Sequence, residues 1–220
     1  ALFGHLRFVL SNMARAIVMG LCGSHCTRAP AGVAPETRRY YQQLTRLSAA
    51  LAFLADVSMG VLGGALKRKE KLSARLGDVL SMLYVASAVL KRYETDGAHS
   101  EDAPLMHWAI WDAMFKAQTA LEGVISNFPN RMIAAVMRRT VFPLGRPYVV
   151  PSDDLGHDVA RLLIEPSATR DRLTAGTYVP RREDDVIGRL DLAMEAAVKA
   201  EPLEQKVRRA HQGAADREHL

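Results

Sequence analysis

Apolar side chains recur along this chain at three- and four-residue intervals, the spacing of one face of an α-helix. The pattern is most regular over 72–90, where it repeats almost as a heptad. Similar stripes predict helices over 2–22, from about residue 36 to residue 61, over 108–125, and in a short segment after residue 129. The stripes consist of Leu2, Leu6, Val9, Leu10, Met13, Ile17 and Leu21; Leu44, Leu47, Leu51, Leu54 and Val61; Leu72, Leu76, Val79, Leu83, Ala86 and Leu90; Trp108, Trp111, Phe115, Leu121 and Ile125; and Met132, Ile133, Val136 and Met137. We therefore predict an all-α fold, a helical bundle of four to five main helices.

Glycines and prolines divide the chain into three predicted regions. Residues 1–35 form an N-terminal helix and hinge, which ends in a loop with two prolines, and residues 36–141 form the bundle. Residues 142–220 begin with an extended Pro-rich segment, FPLGRPYVVP, and continue in short helices near 153–164, 167–173, 185–200 and 202–210. Ser152 and Ser167 are predicted N-caps.

Composition narrows the class of protein. Hydrophobic residues make up 49% and charged residues 24%, the balance of a folded globular domain, and the aromatic share of 6% indicates an aliphatic core. The net charge of +5 favours anionic partners. The basic clusters lack the interleaved aromatic side chains that bind single strands, so we do not expect nucleic-acid binding.

The first 35 residues contain no acidic side chain, but arginines interrupt their apolar runs, so we do not expect a signal peptide. No uninterrupted apolar stretch of about 18 residues occurs, which argues against a transmembrane helix. The chain begins with Ala1, and we expect it to be a piece of a longer protein. We expect reduced thiols at Cys22 and Cys26, as in a cytoplasmic protein.

Two segments near the N-terminal half resemble ligand sites. Cys22, His25 and Cys26 are of the types that ligate zinc, but a complete site needs a fourth ligand, so we interpret them as thiols at a helix end. The segment 60–70, GVLGGALKRKE, has glycines before a lysine but lacks the Gly-Lys-Ser/Thr ending of a phosphate loop. We predict a turn or a helix contact there.

Three further groups of polar residues occur in the second half of the chain. One group contains the residue types of a hydrolytic triad, but neighbours on one short helix do not converge on one substrate atom. A second group could line a pocket, although tryptophans at helical spacing usually belong to a core, and the third looks like solvated surface before a helix. The three groups are Ser152, Asp153, Asp154, His157 and Asp158; His107, Trp108 and Trp111; and Glu183, Asp184 and Asp185. We assign no catalytic, cofactor-binding or metal-binding residue.

Several longer strings carry a resemblance to a known family. They are RRYYQQLTRLSAALAFLADVSMGVLGGALKRKEKLSARLGDVLSMLYVASAVLKRYE at 38–94, NFPNR at 127–131, FPLGRPY at 142–148, VPSD at 150–153, and the series Pro166, Thr169, Arg170, Arg172, Gly176 and Tyr178. Over about residues 36–200 the chain resembles the C-terminal region of the large, bacterial-type fatty acyl-CoA dehydrogenases of β-oxidation. It departs from that family after about residue 210, where a longer acidic tail is missing.

The resemblance implies a parent enzyme that holds FAD and oxidises acyl-CoA to trans-2-enoyl-CoA, with a catalytic glutamate upstream of this chain. It implies that this segment is an inactive accessory bundle that contacts the upstream core, forms a homodimer or meets acyl-CoA through the parent. FAD is expected in the parent and not on this segment. The expected location is cytoplasmic, at or near the inner face of the membrane. The alternative is a free-standing basic module that binds a protein partner or an anionic membrane surface.

Overall fold

A computed structural model of the chain describes residues 2–218 apart from 179, 181 and 183, and side chains between residues 7 and 210. The described residues form α-helices and contain no strand, which confirms the all-α prediction. The helices are α1 (Leu2–Leu21), α2 (Arg38–Leu62), α3 (Glu70–Thr95), α4 (Ala103–Ser126), α5 (Arg131–Val141), α6 (Asp153–Ile164), α7 (Ala168–Thr174) and α8 (Val186–Glu218), with 3₁₀ turns at Gly63–Arg68 and Ser100–Asp102. The chain divides into two compact units, Ala1–Ser152 and Asp153–Leu220.

The core of the first unit is the aliphatic surface shared by α2, α3 and α4. On α3 the near-heptad is buried as predicted, with Val79, Ala86 and Leu90 fully enclosed. On α4, Ile110 and Leu121 are equally enclosed. Side chains at this spacing lie on one face of each helix, so the two helices pack side by side along their length.

Six side chains of the predicted apolar stripes are exposed, and two of them, Met132 and Val136, lie on α5. Trp108 lies two residues from both Met106 and Ile110, which are buried, so it points to the opposite side of α4. Val61 lies at the end of α2, where the helix has left the core. Leu10 and Leu21 face outwards because α1 buries a different stripe, which includes Asn12, Ala16 and Met19.

Helix α1 contacts α2 and the chain after α5 through a polar pair and a glycine. The Asn12 side-chain amide donates to the Asp56 carboxylate, with 2.9 Å between Nδ2 and Oδ2. Gly20 lies against the ring of Pro143, where any added Cβ would be only 2.6 Å from a ring carbon. Only glycine permits that approach, so Gly20 fixes how closely α1 lies to the Pro-rich segment.

The Pro-rich segment contains no helix and is fastened to α4 by one buried side chain. Gln118 accepts from the backbone N–H of Tyr148 at 3.0 Å and donates to the carbonyl of the same residue at 2.7 Å. Gln118 is only 4% exposed. Its amide therefore satisfies both backbone groups of Tyr148 in a place where water cannot.

A buried arginine supports the same segment from α2. Arg46 contacts the Val141 carbonyl, with 3.4 Å between Nη2 and O, and its guanidinium lies 6.0 Å from the centre of the Tyr148 ring. Both side chains are buried. The cation therefore interacts with a carbonyl dipole and a ring face.

The second unit consists of α6, α7 and α8. Ser167 accepts from the Arg170 N–H, which confirms the predicted N-cap of α7. An ion pair between Arg170 and Asp191, each mostly buried, joins α7 to α8. Val159 on α6 and Thr169 on α7 are buried.

The prediction of two separate helices over 185–200 and 202–210 is wrong, because α8 continues through Pro202. A proline inside a helix removes one hydrogen bond, here the one to the Val198 carbonyl. Ending the first helix there would leave its last four carbonyls without intrahelical partners. The continuous helix loses fewer hydrogen bonds than two separate ones.

Two helical stretches are long and apolar enough to cross a membrane by length and composition. They are Arg38–Arg68 and Glu70–Thr95. An 18-residue window within the first has a mean hydropathy of 1.8, and one within the second has 1.3. The sequence argument from uninterrupted apolar runs missed both. Core helices of soluble proteins also pass this criterion, and the first stretch contains the buried Arg46 and the hydrogen-bonded Asp56.

We predict that Gln118→Ala lowers the free energy of unfolding by about 2 to 3 kcal/mol, because both backbone groups of Tyr148 then stay buried without partners. Urea denaturation measures the change. The neighbouring Thr119→Ala is the control, since this exposed hydroxyl only bonds the Phe115 carbonyl within α4. We expect the control to change stability by less than about 0.5 kcal/mol. Equal losses in the two variants would contradict the role of Gln118.

Candidate functional site

Polar side chains collect at the end of the bundle where α2 begins, α3 ends and α4 begins. The hydroxyl of Tyr40 lies 2.7 Å from Nδ1 of His107 and accepts from the indole N–H of Trp111 at 3.1 Å. The Tyr40 hydroxyl has one hydrogen, and because it accepts from Trp111 it can donate that hydrogen to Nδ1 of His107. In this arrangement Nδ1 carries no proton. His107 therefore serves as a hydrogen-bonding side chain between α4 and α2.

Burial holds this pair in its uncharged form. Desolvation lowers the pKa of His107 below its ordinary value, while the carboxylate of Glu36 opposes that shift. Desolvation also raises the pKa of Tyr40, against the hydrogen bond from Trp111. A neutral imidazole and a neutral phenol are therefore the stable pair at neutral pH.

Two carboxylates tie the loop before α2 to the end of α3. Glu94 accepts from the Ala34 N–H at 3.1 Å and from the buried Thr37 hydroxyl at 2.5 Å. Glu36 accepts from the Tyr93 hydroxyl at 3.0 Å. Burial and the Glu36 carboxylate raise the pKa of Tyr93 to about 12, so this phenol stays protonated.

This cluster holds the helices together. Its contacts join the start of α2 to α3 and α4, and every polar group described above already has a partner within the protein. A general base needs a substrate proton within reach, and here the imidazole nitrogen is engaged by Tyr40. The sequence analysis identified His107 and Trp111 but missed Tyr40, Tyr93 and Glu94. These residue types are common near helix ends, so nothing in the sequence distinguishes them.

The expectation of reduced thiols is wrong for this structure. Cys22 and Cys26 form a disulfide, with 6.3 Å between their Cα atoms. The prediction was based on the reduced thiols of cytoplasmic proteins, whereas in the structure α1 ends at Leu21 and the turn that follows brings the two cysteines together. His25 of the suspected zinc trio is exposed, and the part of the chain that the structure describes holds no group of three metal-ligating side chains.

The glycine-containing segment 60–70 is the end of α2 followed by a 3₁₀ turn, and a helix, not a strand, precedes it. Gly63 ends α2 with φ of 48° and ψ of −130°, which only glycine adopts readily. A Cβ added at Gly60, Gly63 or Gly64 would meet nothing within 4 Å. The predicted turn is confirmed, and the glycines do not serve a close helix contact.

The acidic groups at the helix starts lie at the surface and do not converge. Ser152, Asp153, Asp154, His157 and Asp158 are each exposed, and Asp158 pairs with Arg161 at 3.3 Å. Asp185 accepts from the N–H groups of Ile187 and Gly188 and so caps α8. Glu183 lies outside the described residues.

Two cavities among the described residues do not fit a flavin. The first, about 340 Å³, is lined by α7 and α8 residues that include Asp171, Asp191 and Glu195, whose charges repel a diphosphate. The second, about 520 Å³, is lined by residues 84–96 of α3 and its C-cap, so nothing encloses a ring from the other side.

Comparison with known proteins gives one family. Residues 1–219 match the family described as Acyl-CoA dehydrogenase, C-terminal, bacterial type. No solved structure matches the chain.

We predict that His107→Asn flattens the pH dependence of stability below about pH 6.5. Because the folded state lowers the pKa of His107, the unfolded chain binds its proton more tightly, and stability falls as the pH drops through this range. Asparagine keeps a hydrogen-bonding group and does not titrate. The free energy of unfolding is measured by urea denaturation between about pH 7.5 and about pH 5.5.

The control for this prediction is His99→Asn, which changes an exposed histidine of the same unit. It should retain the wild-type slope. If His107→Asn also retains that slope, the lowered pKa does not contribute to acid sensitivity.

Proposed function

The chain belongs to the C-terminal domain family of bacterial-type acyl-CoA dehydrogenases, and we propose that it is the helical accessory domain of an FAD-dependent enzyme that oxidises acyl-CoA to trans-2-enoyl-CoA in fatty-acid β-oxidation. FAD and the catalytic glutamate belong to the upstream core of that enzyme. This segment contributes a docked bundle and no redox step. The enzyme works in the cytoplasm.

The observation that supports docking is an apolar stripe on the outer side of α1. Leu10, Val18 and Leu21 are 56%, 54% and 54% exposed, and Ala14 lies between them on the same face. Their spacing of four, four and three residues places them in one row along the helix. Such a row on a soluble domain indicates a contact with another protein surface.

The inner side of α1 is fixed by contacts that hold this row in place. Asn12 bonds Asp56 on α2, and Gly20 lies against Pro143. The stripe is therefore presented on a packed helix rather than on a loose end. Burying each half-exposed side chain contributes about 1 kcal/mol, which is enough for several together to hold a tethered domain.

We propose the upstream dehydrogenase core as the partner of this stripe. A core in the same polypeptide is present at high effective concentration, so a modest apolar contact is sufficient. A second copy of the chain would use the same stripe to form a homodimer, and in that case the contact would depend on protein concentration.

We predict that the double variant Val18→Lys and Leu21→Lys in the full-length enzyme releases its flavin at a lower temperature, as measured by flavin fluorescence. We also predict that it oxidises acyl-CoA more slowly. Burying two unpaired ammonium groups costs several kcal/mol, so the domain undocks. The matched control is Met132→Lys and Val136→Lys on α5, where both side chains are exposed.

We expect the control enzyme to behave like the wild type. Equal effects of the two double variants, or no effect of either, would contradict docking through α1. Sedimentation at several protein concentrations distinguishes core docking, which does not change with concentration, from a homodimer.

A second candidate function is contact with an anionic membrane surface, and the tip between α2 and α3 favours it. Lys67, Arg68, Lys69 and Lys71 are all exposed there. Met59 and Val61 beside them are 52% and 46% exposed. In this arrangement the cations would contact the anionic head groups of a bilayer, and the apolar side chains beside them would contact its acyl chains.

We predict that, if this second function holds, the protein co-sediments with phosphatidylserine vesicles at low salt and is released at high salt, because salt screens the lysine charges. The variant Lys67→Gln and Lys69→Gln should lose most of this binding. The matched variant Lys199→Gln and Lys206→Gln, on α8, should keep it. Absence of binding at low salt eliminates this candidate.

A further inference from the structure

We propose that Cys22 and Cys26 are a reversible thiol–disulfide exchange site, which reacts with small thiols and disulfides of the glutathione class. The site lies in the turn between α1 and α2. Its chemistry does not use the acyl-CoA oxidation of the proposed function.

The geometry of the turn suits reversible bond formation. The two Cα atoms are 6.3 Å apart, a separation from which a disulfide forms and breaks without large movement of the backbone. Cys26 is exposed and Cys22 is half-buried. A small thiol can therefore reach the Cys26 sulfur directly, while Cys22 stays close behind it.

The bond closes a loop of only five residues, Cys22 to Cys26. A short loop restricts the unfolded chain much less than a long one, so the bond adds little to global stability. A disulfide that closes so short a loop is not suited to stabilising the whole fold. Its effect is local, on the turn that contains it.

The turn itself adopts an unfavourable conformation that the bond helps to maintain. Ser24 has φ of 66°, in the left-handed region that disfavours side chains, and it is fully buried. Its hydroxyl has no hydrogen-bond partner. Both features cost free energy, and both arise because the backbone of residues 22–26 is folded tightly enough to bring the two sulfurs together.

Hydrogen bonds transmit the state of the turn to α2. Arg39 donates to the Gly23 carbonyl, and Gln42 donates to the Thr27 carbonyl at 2.8 Å. Opening the disulfide leaves these contacts and the hydrogen bonds of the turn itself, in which Ser24 N–H donates to the Met19 carbonyl, His25 N–H to the Cys22 carbonyl and Thr27 to the Ser24 carbonyl. We therefore expect reduction to loosen the connection between α1 and α2 while the α3–α4 core stays intact.

The charge around the turn suits an anionic reactant. Residues 1–35 contain no carboxylate side chain. Arg28 follows the turn two residues after Cys26, and Arg39 contacts the turn at the Gly23 carbonyl. Glutathione-class peptides carry carboxylates, and their reactive form is the thiolate. A cationic surface increases the local concentration of such a reactant.

The oxidation step is balanced by the small disulfide. The Cys26 thiolate attacks one sulfur of that disulfide, forming a mixed disulfide and releasing one small thiolate. The Cys22 thiolate then attacks the Cys26 sulfur, which forms the internal bond and releases the second small thiolate. The two cysteines lose two electrons in total, the small disulfide gains them, and the two cysteine protons end on the released thiols.

The test follows one tryptic peptide in the full-length protein. Trypsin cuts after Arg15 and Arg28, so residues 16–28 carry both cysteines. Folded, reduced protein is treated with oxidised glutathione, quenched by alkylation and analysed by mass spectrometry. We expect both cysteines to escape alkylation, with the peptide two hydrogens lighter than the dithiol, and we expect reduced glutathione to restore two alkylated cysteines.

Two single variants test the order of attack. In Cys22→Ser the mixed disulfide on Cys26 should accumulate, because no second thiolate resolves it. In Cys26→Ser the half-buried Cys22 should react more slowly. Equal or reversed rates would overturn the assignment of Cys26 as the cysteine that reacts first with the small disulfide.

Hydrogen exchange reports the structural consequence without using the thiol chemistry. Amides of residues 22–27 should exchange faster in the reduced protein, and those of α4 should not change. The proposal is overturned if residues 16–28 keep two free thiols in the folded protein at every glutathione ratio, or if the bond responds to glutathione only after denaturant is added.

Discussion

The structure of the first unit depends on the burial of aliphatic side chains between α3 and α4. Neither helix can enclose its apolar stripe alone, and each provides the surface that the other needs. Val79, Ala86 and Leu90 on α3 and Ile110 and Leu121 on α4 are fully enclosed by this contact and by α2. Removal of this area from water is the main favourable term in folding, and it sets the positions of α3 and α4 relative to each other.

The buried polar contacts depend on that arrangement of helices, and they select one register of the helices among those that apolar packing allows. Tyr40 reaches His107 and Trp111 only because α2 lies along α4, and Gln118 reaches Tyr148 only because the Pro-rich segment crosses α4. Apolar packing is not directional, so several helix registers could bury similar areas. A buried amide or imidazole is satisfied in only one of them, and each unsatisfied group disfavours the others.

The described residues also present exposed apolar surface away from these polar contacts. At the end of the bundle burial favours the neutral forms of Tyr40, Tyr93 and His107, and the carboxylates of Glu36 and Glu94 accept hydrogen bonds from neighbouring groups of the chain. The outer side of α1 and the tip between α2 and α3 remain, where apolar side chains are exposed beside fixed inner contacts.

The sequence by itself determined the all-α class, the positions of the helices up to α7, the turn after α2 and the cap at Ser167, because these follow from spacing and local backbone preference. The resemblance in residues 38–94 and 127–153 gave the family, which the match over residues 1–219 shows. Tertiary structure decided which face of α1 is buried, since Leu10 and Leu21 match a helical stripe as well as Ala16 and Met19 do. It also decided the pairing of Cys22 with Cys26, the partners of Gln118 and Tyr40, and the continuation of α8 through Pro202. Each of these depends on which groups meet in space or on carbonyls that an interruption would leave unpaired, and a linear pattern does not contain that information.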